Sequence, residues 1–339
     1  MKNKSKILIC AATVVAVIAI SAVAVKSYLF ARYDGKNAAR VEIPAFSDKA
    51  AVDSIIESSL GGSYGRKVAR LWNALSKDAL RSHGSYLVQP GDEAVRVAKR
   101  IAEGRQTPVR FTFNNLRRFE DLAGRAGRML EVDSLTFLET ADSILSAEGF
   151  SPANYSAALL PDTYEFYWTS PADVIIEKMS AHRKKFWNDE RRKKAAKLGL
   201  SPEEVHTLAS IVEEESNKSD ERPVIARLYL NRLGKNMFLQ ADPTVKFASG
   251  DFAARRVTHD MTLSDSPYNT YKHRGLPPGP IRIVEAATLD AVLDAPENNY
   301  LYMCAKPDFS GYHNFTDDYR RHTINAVLYH RALNNRGIK

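Results

Sequence analysis

Three consecutive glutamates, Glu213, Glu214 and Glu215, end a segment whose apolar residues recur with helical spacing. Side chains three and four positions apart share one face of a helix, so Glu215 continues the apolar stripe of Ile211 and Val212. A carboxyl group held against the core loses solvation, which raises its pKa and suits it to act as a general acid near neutral pH. The pattern therefore predicts that Glu215 is an acid/base group.

The other two glutamates lie on different faces of the same helix. Glu214 stands four positions before Lys218, a spacing typical of an exposed ion pair, so we expect a structural role for it. Glu213 lies on an intermediate face, from which it could contact substrate or point to solvent. The alternative for all three is a helix that frays after Val212 and leaves them solvated.

The beginning of this helix is marked by capping residues. Ser201, Pro202 and Glu204 match an N-cap serine, a proline at the first helical position and the glutamate of a capping box. The sequence therefore predicts a helix that starts at Ser201 and ends near Asn217.

The end of the helix resembles the signature of a known enzyme family. Residues 208–216 read Leu-Ala-Ser-Ile-Val-Glu-Glu-Glu-Ser, which is similar to the motif of the YceG-like or MltG family of endolytic murein transglycosylases. In that motif the last acidic residue of an E-x-E-[ST] pattern is the catalytic glutamate, and it corresponds to Glu215. Further blocks resemble the family's later motifs in the same order: 231–233, 239–245, 266–271, 275–281 and 311–315.

The resemblance implies a reaction that needs one carboxyl group. A lytic transglycosylase of this kind cleaves the bond between N-acetylmuramic acid (MurNAc) and N-acetylglucosamine (GlcNAc) in peptidoglycan glycan strands. One glutamate protonates the glycosidic oxygen and then, as a base, takes the proton of the muramoyl 6-hydroxyl, which closes a 1,6-anhydro-MurNAc end. No metal or organic cofactor is implied, and the expected role is to terminate the elongation of nascent strands.

Several residues of the later blocks are candidates for sugar contact, because glycan recognition uses amide and imidazole hydrogen bonds beside aromatic faces. These candidates are Gln240, Tyr268, Asn269, Tyr271 and His313. Each could instead hold loops together. Asp242, just before Pro243, could cap a turn or contact substrate.

The N-terminus carries a segment that could anchor the chain in a membrane. Ile7–Val25 contains no charged residue and no proline, and its length is close to the ~20 residues that a spanning helix needs. Lysines in residues 1–6 favour a cytoplasmic N-terminus. A cleaved signal peptide is the alternative, since 22–24 reads Ala-Val-Ala. Under either alternative the rest of the chain is exported. A retained anchor predicts a single-pass protein of the bacterial inner membrane that faces the periplasm.

The region after the anchor has mixed helix and strand patterns. A short strand at 86–88 and a Pro-Gly turn precede Asp92, which is placed to cap a helix, and Val109–Phe113 alternates as a half-buried strand does. This strand–helix–strand unit resembles the LysM-like module of wall-binding proteins, although a generic connector fits equally well.

We therefore predict an α+β protein. Its expected parts are a cytoplasmic N-terminus (1–6), a transmembrane helix (7–25), a linker (26–40), a LysM-like subdomain (41–113) and a catalytic domain (114–339).

Composition and motifs exclude several other functions. The net charge of +8 favours anionic surroundings without choosing among them. Nucleic acid is not expected as a partner, because Asp189 and Glu190 interrupt the basic stretch 182–197. Cys10 and Cys304 cannot form a disulfide framework or a cysteine metal site.

Two alternatives to a transglycosylase stay open. One is a non-catalytic wall-binding or scaffold protein of the cell-wall synthesis machinery, whose synthases are candidate partners in either case. The other is a muramidase that hydrolyses the same bond.

Overall fold

The computed structural model describes residues 2–114, 116–254 and 257–337. Its helices and small two-stranded sheets confirm the predicted α+β class. The chain divides into two compact units, and each is described by itself. Unit 1 contains Met1–Arg110, Arg128–Val132 and Glu165–Ser170, and unit 2 contains Phe111–Gly127, Asp133–Tyr164 and Pro171–Lys339.

Helix α1 (Lys2–Leu29) contains the predicted apolar segment and extends beyond it. Its part Ile9–Leu29 has 21 residues and is apolar enough to cross a membrane by length and composition alone, a test that signal sequences also pass. At 1.5 Å per residue this part is about 32 Å long, close to the ~30 Å hydrocarbon core of a bilayer.

Unit 1 is built on an antiparallel pair of strands with helices packed against it. Strand β1 (Ala39–Ile43) pairs with β2 (Gly84–Val88), and Val41 lies opposite Tyr86. Its helices are α2 (Lys49–Leu60), α3 (Gly62–Leu75) and α4 (Ala94–Ala102). Their buried side chains, among them Ile56 and Trp72, form one core with those of the strands.

Three features of the chain up to residue 168 differ from the sequence prediction. Residues 26–40, predicted as a linker, are bonded into the unit, since the amide of Tyr33 donates to the carbonyl of Asp92 at 2.9 Å. Asp92 does not cap α4, because its carboxylate turns back to the amide of Gln89 at 3.0 Å and closes the Pro-Gly turn; the N-cap is Glu93.

The third difference concerns the strand at Val109–Phe113. This strand, β3, forms as predicted but pairs with β4 (Asp162–Phe166), so the expected strand–helix–strand unit is not one sheet. In β4, Tyr164 and Phe166 turn to the buried side. The likeness to a LysM module stays a prediction.

Unit 2 is mainly helical and surrounds α9, the helix of the three glutamates. Its helices are α5 (Phe119–Met129), α6 (Ser134–Ala147), α7 (Ala172–Phe186), α8 (Asp189–Lys197), α9 (Pro202–Glu215), α10 (Arg222–Gly234), α11 (Asp242–Ser249), α12 (His259–Leu263), α13 (Ala286–Leu293) and α14 (Tyr319–Asn335). Strands β5 (Tyr302–Ala305) and β6 (His313–Thr316) form an antiparallel pair in which Ala305 lies opposite His313. The residues of β5 are half-buried.

Helix α9 begins as predicted and is buried along most of its length. The Ser201 hydroxyl accepts the amide of Glu204 at 3.1 Å, and the Glu204 carboxylate accepts the amide of Ser201 at 2.7 Å, which confirms the capping box. Every side chain from Val205 to Glu213 is buried. The helix is therefore a central element of unit 2 rather than a surface helix with one apolar stripe.

A proline-rich turn packs beside this helix. The amide of Ile281 donates to the Ser210 hydroxyl of α9 at 3.0 Å. A Cβ at Gly279 would meet the backbone carbonyl of Ala153 well inside van der Waals contact. Glycine is therefore required here by space and not by a left-handed conformation.

We expect Gly279→Ala to lower the free energy of unfolding by about 1–3 kcal/mol, because backbone must move to admit the methyl group. Gly234→Ala is the matched control: its Cβ would meet nothing within 4 Å, so it should leave stability within about 1 kcal/mol of wild type or raise it. Urea unfolding of both variants measures the difference. Equal stability of the two variants would contradict this packing.

Candidate active site

Glu215 is the last residue of α9 and lines a cavity of about 370 Å³. The Tyr229 hydroxyl of α10 donates a hydrogen bond of 2.7 Å to its Oε1 atom. Burial raises the pKa of Glu215 to about 7, the negative charge of Asp242 adds to the rise, and the Tyr229 hydrogen bond opposes it. The carboxyl group can therefore be present in both protonation states near neutral pH.

The cavity brings together residues from distant parts of the chain. Its lining consists of Glu215, Leu228, Tyr229, Arg232, Leu239, Gln240, Asp242, Tyr271, Met303, Cys304, Ala305, His313 and His322. A second cavity of about 180 Å³ is lined by Arg117, Glu214, Glu215, Asp242, Pro243, Lys246 and Phe252. Both cavities lie within unit 2.

Three of the predicted sugar contacts lie in the larger cavity. Gln240 is exposed and its backbone has a left-handed conformation (φ 51°). Its backbone amide donates to the carbonyl of Thr270 at 3.1 Å. The Tyr271 hydroxyl donates to Asp242 Oδ1 at 2.5 Å. His313 completes the three, and all of them stay candidates for contact with substrate.

His313 is held by a buried carboxylate. Glu221 accepts the backbone amide of His313 at 2.8 Å through Oε1 and lies 2.9 Å from the ring Nδ1 through Oε2. The Ser216 hydroxyl donates to the same Oε2 at 3.3 Å. A carboxylate at Nδ1 favours the tautomer that leaves Nε2 as the acceptor. These bonds join the end of α9 to the beginning of β6.

Two other predicted contacts lie outside the described cavities that Glu215 lines. Asn269 is fully buried, and its amide donates to the carbonyls of Thr262 at 3.0 Å and Ser264 at 2.7 Å. The Tyr268 ring packs on Phe247 at a centroid distance of 4.8 Å. These side chains hold loops together, which was the alternative to sugar contact.

Glu213 also lies outside the two cavities that Glu215 lines. Its side chain is 2% exposed and lies 3.1 Å from Arg282. Thr288 donates to Oε2 at 2.5 Å, and the amide of Glu285 donates to it at 3.2 Å. Burial raises its pKa, and these donors and the arginine oppose the rise. The face of α9 that carries Glu213 packs against α13 and not against a cleft, because α9 is surrounded by other helices.

Glu214 has different partners from those predicted. It lies 3.2 Å from Arg117 and 3.0 Å from Arg282, so the expected surface pair with Lys218 was wrong. The Lys218 ammonium lies over the Tyr312 ring instead. Glu214 therefore forms one wall of the smaller cavity beside Glu215.

Sequence reasoning did not find Tyr229, Glu221, Arg232 or His322 as parts of the site. Tyr229 lies on the next helix, and no local spacing connects it with Glu215. The position of Glu221 could have indicated a role, since it closely follows the motif at 208–216. Its partner His313 is 92 positions away, however, and only the fold brings the two together.

No group of three or more His, Cys, Asp or Glu side chains suited to a metal ion occurs among residues 2–114, 116–254 and 257–337.

Comparison with known proteins finds one family and several relatives that this chain resembles. The model of the YceG-like family matches residues 43–327. An endolytic murein transglycosylase of Bacillus subtilis (strain 168) is 37% identical over 153 residues, which are 44% of this chain and 41% of that protein. An endolytic murein transglycosylase of Streptococcus pneumoniae serotype 2 (strain D39) is 31% identical over 152 residues, 43% of this chain and 27% of that protein. The chain thus covers less than half the length of these curated relatives.

A solved structure shows the same fold over most of the chain. The crystal structure of a YceG-like protein from Listeria monocytogenes superposes with a TM-score of 0.58 at 26% identity. The match covers 86% of this chain and 99% of that one.

The raised pKa of Glu215 predicts a pH-dependent effect of Glu215→Gln on stability. The folded-state pKa of about 7 lies above the ordinary 4.5, so the stabilising contribution of the protonated group is full below 4.5 and is lost as pH rises through 7. The neutral amide avoids this loss. We expect Glu215→Gln to gain about 1–3 kcal/mol relative to wild type between pH 4.5 and 8.

Urea unfolding of the detergent-solubilised chain at several pH values measures this gain. The exposed Glu120 supplies the control, since Glu120→Gln should leave the free energy of unfolding within about 1 kcal/mol of wild type. A gain of equal size at all pH values would mean that burial does not raise the pKa of Glu215.

Proposed function

The chain belongs to the YceG-like family, and from this we propose that it is a lytic transglycosylase that cleaves the MurNAc–GlcNAc bond of peptidoglycan strands. The observation that carries the proposal is Glu215, a carboxyl group with a pKa near 7 at the wall of a cavity large enough for sugar residues. The names of the relatives from Bacillus subtilis and Streptococcus pneumoniae support the same activity.

The proposed mechanism uses Glu215 twice. The protonated group first donates its proton to the glycosidic oxygen, and the bond from that oxygen to the muramoyl anomeric carbon breaks. The carboxylate then takes the proton of the muramoyl 6-hydroxyl while that oxygen bonds to the same carbon. Glu215 ends protonated, as it began, and the strand ends in 1,6-anhydro-MurNAc.

The contacts of Glu215 suit both steps. Burial favours the acid that the first step needs. The hydrogen bond from Tyr229 is directed at the carboxylate, so it stabilises the base that exists between the steps. The ideal pKa of a group that must both give and accept a proton lies near the working pH.

Hydrolysis is the second candidate reaction. Asp242 lies in the same cavity as Glu215, and ordinary glycosidases use two carboxyl groups, one as an acid and one as a base or nucleophile. In this case water, and not the 6-hydroxyl, would supply the oxygen at the new end.

The proposed location is the bacterial inner membrane, with α1 as a single span and the units outside the cytoplasm. The helix is long enough, and the lysines in residues 1–6 favour a cytoplasmic N-terminus. An active site close to the membrane would meet strands as they are made, so we propose that the enzyme terminates nascent strands and works beside cell-wall synthases.

We expect Glu215→Gln to lower transglycosylase activity by about 10²–10⁴-fold, because the amide keeps the shape of the side chain but cannot donate or recover a proton. The assay uses uncrosslinked glycan strands and counts anhydro ends by mass spectrometry. Glu120→Gln is the control and should keep wild-type activity. Near-normal activity of Glu215→Gln would remove Glu215 from the mechanism.

The same assay in water labelled with heavy oxygen separates the two reactions. A transglycosylase makes ends without the label, because no water enters the bond. A hydrolase makes labelled reducing ends. Wild-type protein that releases neither product, yet binds strands, would instead support the wall-binding scaffold.

Topology has its own measurement. Protease added to right-side-out membrane vesicles should remove the units after α1 and leave the anchor in the membrane. Protease added to inverted vesicles should not reach these units. Digestion from the cytoplasmic face would contradict the proposed orientation.

A further inference from the structure

The two cavities beside α9 meet at two residues. The larger contains Gln240, Tyr271 and His313, and the smaller contains Arg117, Lys246 and Phe252. Glu215 and Asp242 are the residues that line both. An enzyme that cuts within a strand must hold sugars on both sides of the bond, so the shared wall is where that bond would lie.

Asp242 is held firmly at this junction. The Tyr271 hydroxyl donates to its Oδ1 at 2.5 Å. Behind it, the amide of Ala241 donates to the Thr270 hydroxyl at 3.0 Å, and the buried hydroxyls of Thr244 and Thr270 lie 2.8 Å apart. These bonds fix the start of α11 to the segment that carries Tyr271, so the carboxyl group of Asp242 has a defined position.

We propose that Asp242 is a second catalytic carboxylate, which faces the anomeric carbon and stabilises the positive charge that develops there while the strand crosses from one cavity to the other. The inference deepens the proposed function and rests on it. It assigns Asp242 no proton transfer, so the proton balance of Glu215 is unchanged.

The chemistry of the bond gives such a group a role beside the single proton-transfer group. Glycosidic cleavage passes through a transition state with oxocarbenium character, and a fixed negative charge beside it lowers the barrier. Two carboxyl groups in one site take different roles when their surroundings differ. Glu215 is half-buried at the end of a core helix, whereas Asp242 is exposed and accepts a hydrogen bond from the Tyr271 hydroxyl.

The charges around Glu215 predict how a change at Asp242 would appear. Asp242 raises the pKa of Glu215, whereas Lys246 and Arg232 lower it, as does the hydrogen bond from Tyr229. Removal of the Asp242 charge therefore moves the pH at which activity falls to a lower value. Removal of the Lys246 charge moves it to a higher value.

The test compares Asp242→Asn in the full chain with wild type on uncrosslinked strands. We expect kcat to fall about 10²–10³-fold, the loss typical of removing one group that stabilises a transition state. In Asp242→Asn the alkaline fall in activity should move to lower pH. In Lys246→Gln it should move to higher pH. In a Glu215→Gln background, adding Asp242→Asn should change the affinity for uncleaved strands by less than about threefold. Asp260→Asn, an exposed carboxylate outside both cavities, is the control.

A second variant separates a chemical role from a structural one. Added formate should restore part of the activity of Asp242→Ala, because a free carboxylate can occupy the space, but it should not restore Glu215→Ala. A loss confined to KM, a kcat within about threefold of wild type, or unfolding of both Asp242 variants would overturn the proposal. Failure of the proposed function looks different, since wild-type protein would then release no products.

Discussion

The desolvation of three carboxyl groups at the end of one core helix is the constraint on which the site depends. Taking a charge out of water is costly unless a partner compensates for it. Glu213 and Glu214 meet this constraint with Arg282, which lies within 3.1 Å of both, and Glu214 also with Arg117. In the described part of the chain Glu215 accepts a hydrogen bond from the Tyr229 hydroxyl instead of pairing with an arginine. Burial raises its pKa to about 7.

The paired glutamates hold the unpaired one in position. Glu213 connects α9 to the start of α13 through Thr288 and the amide of Glu285. Breaking a buried ion pair of this kind typically costs about 3–5 kcal/mol, so these contacts resist movement of the end of α9. On the other side, Glu221 connects that end to β6. The position of Glu215 is therefore set by bonds made by its neighbours.

Local patterns in the sequence predicted local structure. The capping box of α9, the strand at 109–113 and the burial of Glu215 depend on near neighbours, and a single sequence contains that information. The errors on α9 share one cause. Periodicity assumes a helix with one buried face, but α9 is buried on all sides, so Glu213 and Glu214 found partners 68 or more positions away. The position of Asp242 beside Glu215 likewise depends on folding.

In the proposed transglycosylase reaction Glu215 gives a proton and then takes one back, so its preference for the protonated form must change during the reaction. In the free site burial and Asp242 favour protonated Glu215, so the acid is ready before the bond breaks. As the sugar becomes positively charged, that charge lies beside Glu215 and favours its ionised form, which helps the proton leave. When the 6-oxygen bonds to the anomeric carbon, the positive charge disappears and the preference returns to the acid. The passing charge of the substrate therefore resets the group, and the cycle closes without water.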